Sequence, residues 1–87
     1  MIKLISIHSA GDQLLDLGFS DGTSGRWSAA EIIARDTELT RSLAEPEYFR
    51  RAFIEAGALA WPNGLELSAS SLHRRMAEAG ALSSRAA

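Results

Sequence analysis

The chain contains no cysteine. Disulfides and thiolate metal sites are therefore excluded, and a reducing compartment is the natural setting. Histidine is nearly as scarce. His8 and His73 are the only imidazoles, without metal-ligand spacing, so neither a metal nor another cofactor is expected. The longest apolar runs fall far short of the roughly 20 residues a membrane helix needs. Met1 to Ile7 is apolar, but it is too short for a signal peptide and no small-residue cleavage site follows. A positive charge excess is missing too: the net charge is −2 and the pI about 5.6. These absences point to the cytoplasm, to no membrane contact, and away from a dedicated nucleic-acid binder.

What remains is ordinary globular composition. Of 87 residues, 46% are hydrophobic and 23% charged, which suits one folded domain rather than a disordered chain. So small a domain buries only roughly 60% of its unfolded surface. Self-association is a natural remedy, and a homodimer is expected.

The pattern predicts an α+β fold: a small antiparallel sheet, made of an N-terminal three-stranded meander and a second hairpin, with two or three short helices. Ile2 to Ile7 reads as a first strand, and His8 to Asp12 as a turn. Gln13 to Ser20 is a second strand, with Leu15, Leu17 and Phe19 on one face. Asp21-Gly22 signals a hairpin in one of two registers. A two-residue loop pairs Phe19 with Ser24 and leaves Trp27 on the face of Asp16. A three-residue loop with left-handed Gly22 pairs Leu15 with Trp27. The second is preferred because it gathers the apolar residues on one face.

Ser28 and Glu31 have capping-box spacing, which predicts a helix over 29–35 with Ile32 and Ile33 inward. Asp36-Thr37 interrupts it, and Leu39 and Leu43 suit one more turn. Pro46 fits the first position of another short helix, anchored by Tyr48 and Phe49. The segment 51–55 reads as a strand, Ala56-Gly57 as a turn, and 58–61 as the strand pairing back. Trp61-Pro62-Asn63-Gly64 suits a type I turn, after which Leu65 to Leu67 is briefly extended. Ser68 then caps a last helix with an apolar stripe of Ala69, Leu72, Met76 and Ala79, closed by Gly80. One domain over 1–80 and a frayed tail over 81–87 follow from this.

Two stretches in order resemble a bacterial family known as domain of unknown function 2442. One is the strand ending Phe19-Ser20-Asp21-Gly22. The other runs from Leu43-Ala44-Glu45-Pro46-Glu47-Tyr48-Phe49 through a strand to Trp61-Pro62-Asn63-Gly64, an apolar-acidic pair and Leu72. The chain departs from the family pattern at Ser28, Leu65-Glu66 and His73, where an aspartate, alanine-aspartate and a tyrosine are usual. The resemblance implies a small α+β domain with no attached catalytic activity. It also implies a stand-alone or sensor-like protein, sometimes paired with a small neighbouring protein as toxin and antitoxin are.

Candidate site residues follow from the same stretches. Trp61, Asn63, Glu66 and His73 surround the rigid turn and are the candidate contacts for a protein partner. The plainer account of the turn is that Trp61 is core and Pro-Asn-Gly is turn chemistry. Arg50, Arg51, Arg74 and Arg75 are the candidate phosphate contacts, should the last helix pack near the first pair. The plainer account there is a solvated face balanced by nearby glutamates. The many serines build no nucleophile elbow, so no enzyme is expected. The reading that results is a non-enzymatic protein-interaction module, as a homodimer or with a small partner. The alternatives are a nucleic-acid-binding regulator and a small-molecule sensor with a pocket around Trp27 and Trp61.

Overall fold

The computed structural model describes residues 1–84. Three antiparallel strands open the chain: β1 (Leu4–Gly11), β2 (Leu14–Phe19) and β3 (Thr23–Ser28). Leu15 pairs with Trp27 and Leu17 with Gly25, which is the three-residue-loop register. Gly22 sits at φ 89° and its amide donates to the Phe19 carbonyl at 3.1 Å. Strand β1 runs further than its composition suggests, through His8, Ser9 and Ala10. It is an edge strand, where polar residues are tolerated. Register shifts around Ile5 and Ala10 mark two irregularities along it.

Short helices follow: α1 (Ala30–Ala34), α2 (Glu38–Arg41), a 3₁₀ turn (Ser42–Ala44) and α3 (Pro46–Phe49). The expected Ser28–Glu31 capping box does not form. Ser28 still belongs to β3, and its hydroxyl accepts instead from the Ala30 amide at 3.1 Å. The box lies at Thr37 and Thr40 instead, whose side chains each accept from the other's amide. Asp36, at φ 53°, provides the expected break before it. Leu43 is buried, but Leu39 faces solvent. Proline occupies the start of α3, as expected.

A second sheet comprises β4 (Phe53–Glu55), β5 (Ala58–Ala60) and β6 (Glu66–Leu67) in that order. Ala56 and Gly57 both have positive φ, 51° and 82°, as a two-residue hairpin loop of the primed type requires. The Trp61–Gly64 turn closes with a 3.1 Å bond from the Gly64 amide to the Trp61 carbonyl. The Trp61 amide then donates to the Leu65 carbonyl at 3.0 Å. Gly64 sits at φ 95°. This is the same three-residue device as Phe19–Thr23.

Helix α4 (Ala69–Glu78) has Ser68 as its cap, accepting from the Ser71 amide at 3.2 Å. It ends in a Schellman motif, with Ala81 donating to the Met76 carbonyl and Gly80 to that of Ala77. Ala69, Leu72 and Met76 are buried, but Ala79 is exposed. The tail also departs from expectation. Ser83–Ser84 form β7 and pair with Thr23 and Ser24, adding a fourth strand to the first sheet. Gly25 permits this, because a Cβ there would overlap the Ala81 carbonyl. The rest of the expected frayed tail, 85–87, lies outside the described residues. One core joins all parts: Leu4, Leu17 and Phe19 from the first sheet, Leu59 and Trp61 from the second, and Leu43, Phe49, Leu72 and Met76 from the helical segments.

Candidate functional site

The second of the two matching hairpin loops holds Trp61 and Asn63 of the sequence-predicted residues, and His73 meets the first. Trp61 is 1% exposed, and its indole nitrogen donates to the Phe49 carbonyl at 3.1 Å. Its ring lies 5.9 Å from Phe49 and 6.5 Å from Trp27. It is therefore a core residue and offers a partner no surface. Asn63 is engaged within the fold. Its Oδ1 accepts from the Leu65 amide, its Nδ2 donates to the Leu39 carbonyl, and its own amide donates to the Tyr48 hydroxyl.

Asp21 occupies the corresponding place in the first loop. One carboxylate oxygen takes the Thr23 amide at 3.0 Å and the Thr23 hydroxyl at 2.6 Å. The other meets His73 Nε2 at 2.9 Å. His73 also packs edge-on against Phe19, with ring centroids 5.2 Å apart. Bonds from Thr23, then from His73, hold the Asp21 carboxyl below the usual carboxylate range. His73 thus fastens α4 to the first hairpin. Glu66 remains exposed at the end of the second sheet.

The arginines have different partners. Arg51 lies over the Tyr48 ring, 5.7 Å from its centroid. Arg75 faces Glu31 at 3.6 Å, while Arg50 and Arg74 are exposed. Arg50 and Arg51 follow α3, whereas Arg74 and Arg75 ride on α4.

Three surface features stand out besides, and the second of them brings Glu66 and Arg75 of the predicted sets to one cavity. The outward face of the first sheet forms an open cleft of about 510 Å³ lined by Ser6, His8, Asp16, Ser24 and Arg26. His8, Asp16 and Arg26 are cross-strand neighbours in one row. Arg26 grips Asp16 through Nε at 2.9 Å and Nη2 at 3.4 Å. That grip holds the Asp16 carboxyl below its usual range and raises Arg26. The carboxylate is thereby committed to its partner and does not act as a proton donor near neutral pH.

The second feature is a groove over Trp27. It consists of two cavities of about 280 and 230 Å³ that share Trp27, Ile32 and Arg75. The third is apolar exposure at the sheet edges: Ile5 is 58% exposed, Phe53 38% and Ile54 36%. Strands β1 and β4 come together here, and the Leu4 amide donates to the Gly57 carbonyl at 2.8 Å.

No family model, curated protein or solved structure matches the chain. Among the described residues, no helix is long and apolar enough to cross a membrane. The sequence points to a pocket around Trp27 and Trp61; Trp61 is instead sealed in the core, and the groove joins Trp27 to residues of α1 and α4, which only the packing brings together. The edge residues carry a signal that was readable: Arg51-Ala52-Phe53-Ile54-Glu55 has opposite charges at its two ends.

Proposed function

We propose that this chain is a non-enzymatic protein-interaction module of the cytoplasm that self-associates through β4. The reading includes the resemblance to domain of unknown function 2442. The observation that carries it is the apolar β4 edge, with Phe53 and Ile54 exposed on a strand paired on one side only. The two-residue loop turns the Glu55 backbone toward Ala58, so the Ile54 amide and carbonyl face the open edge. Such an edge accepts another strand.

Charge favours a second copy as that strand. Antiparallel pairing about Phe53 sets Phe53 beside Phe53 of the other copy; Arg51, in the turn just before β4, leaves the Tyr48 ring to meet the other copy's Glu55, twice by symmetry. Ile5 on the neighbouring strand extends the apolar area. The edge is only three residues long, so the dimer is a weak one. The arginines lend less support to a nucleic-acid reading, since the net charge of the chain is −2 and no basic excess marks a phosphate-binding face.

Sedimentation equilibrium tests the reading. The native protein should dimerise, and Arg51→Glu and Glu55→Arg should each dimerise less. Mixed in equal amounts, those two variants should restore association, because each supplies the charge the other needs. A native chain that stays monomeric at millimolar concentration overturns self-association. Dimerisation indifferent to both charge changes overturns this register.

A further inference from the structure

Trp27 is only 8% exposed, yet its indole N–H meets no acceptor among the described residues. No unpartnered side-chain nitrogen or oxygen there is sealed from solvent, so this N–H is open. A buried tryptophan N–H usually finds a partner, as that of Trp61 does with the Phe49 carbonyl. The open space bordering Trp27 is the groove between α1 and α4. Its apolar side is formed by Ile32, Met76, Ala79 and Ala81. Ala79 is small and exposed, which leaves that side of the groove unfilled.

Arg75 borders both halves of the groove. Its ion pair with Glu31, at 3.6 Å, is longer than the 2.8–2.9 Å pairs elsewhere in the molecule. The Glu31 side chain is 82% exposed, so it leaves Arg75 at little expense. Arg35 and Glu66 border the other half, and Arg35 makes no ion pair among the described residues, so the ligand belongs in the half away from Glu66.

We infer that this groove is a binding site for a small cyclic carboxylate. The carboxylate accepts from the Trp27 N–H and replaces Glu31 as the partner of Arg75. The ring lies against Ile32 and Met76, toward Ala79. A charged acceptor suits these donors better than a neutral one, because a hydrogen bond with an ionised partner is about twice as strong. The half of the groove lined by Glu31, Met76 and Ala79, about 280 Å³, is of a size for one ring with one carboxylate. This site is independent of β4 and does not require self-association.

Benzoate is the probe, with benzamide as its neutral counterpart, and the indole N–H resonances of Trp27 and Trp61 are the readout. The Trp27 resonance should move saturably with benzoate, with a Kd on the order of 1 mM for so small a ligand. The Trp61 resonance should move much less, because its N–H is already bonded. Arg75→Gln should weaken binding about tenfold, as expected for losing a charged hydrogen bond. Glu31→Gln should tighten it by removing the competing carboxylate. Both positions are exposed, so neither change threatens the fold. No saturable shift, an equal response to benzamide, or unchanged affinity in Arg75→Gln overturns the inference.

Discussion

Asp21 and Asn63 do the same work at equivalent places in two hairpins. Each bonds the amide two residues on, and each uses its remaining atoms to hold a distant element. The pH behaviour of Asp21 follows from its partners. Its folded carboxyl ionises below the usual carboxylate range because Thr23 and His73 stabilise the charge. A depressed carboxyl contributes stability above its unfolded pKa and loses it as pH falls through the folded value. Urea unfolding from about pH 5 to 3 should therefore show a smaller loss of stability for Asp21→Asn than for the native chain. Trp61 makes a second residue-scale case. Trp61→Phe keeps an aromatic but leaves the Phe49 carbonyl only the longer 3.3 Å bond from the Ala52 amide, and it opens space in the core. It should destabilise by about 2–4 kcal/mol in urea unfolding.

At the scale of elements, backbone conformation decides which loops resist change. Ala56 holds φ 51° in the β4–β5 loop, where asparagine is favoured and alanine is strained. Ala56→Asn should stabilise by about 0.5–1 kcal/mol, read from the urea midpoint at constant m-value. Gly64 shows the opposite. A Cβ there meets nothing, but φ 95° itself opposes a side chain, so Gly64→Ala should destabilise by about 1–2 kcal/mol. Gly25 differs from both, because its restriction is contact and not conformation. Gly25→Ala should push the segment around Ala81 away and release β7. Faster hydrogen exchange at Ser24 than in the native chain would record it, with Thr23 unchanged because its amide bonds to Asp21.

Across the whole molecule, two small sheets share one core, and the chain returns at β7 to the sheet it began with. The β4 edge and the Trp27 groove are separate surfaces on this body. If the edge pairs two copies, the thermal midpoint should rise with protein concentration by mass action. Phe53→Ser should remove that dependence while leaving the dilute protein nearly as stable, since Phe53 is already 38% exposed.

The sequence alone determined what is local. Left-handed Gly22 and Gly64, the proline at the start of α3, the Ser68 cap and the alternation of Leu15, Leu17 and Phe19 are short-range effects, and the α+β class with its first hairpin register follows from them. Tertiary structure decided what depends on distant neighbours. Ser28 remained in a strand because β3 continues pairing with Leu14, so the capping box had no place there. The tail became β7 because Gly25 leaves room for the Ala81 carbonyl. Trp61 became sealed core by bonding across to Phe49. The groove that Trp27 and Arg75 both line arises only where α1, α4 and β3 meet. No window of neighbouring residues contains that meeting, because its members are joined by packing and not by spacing along the chain.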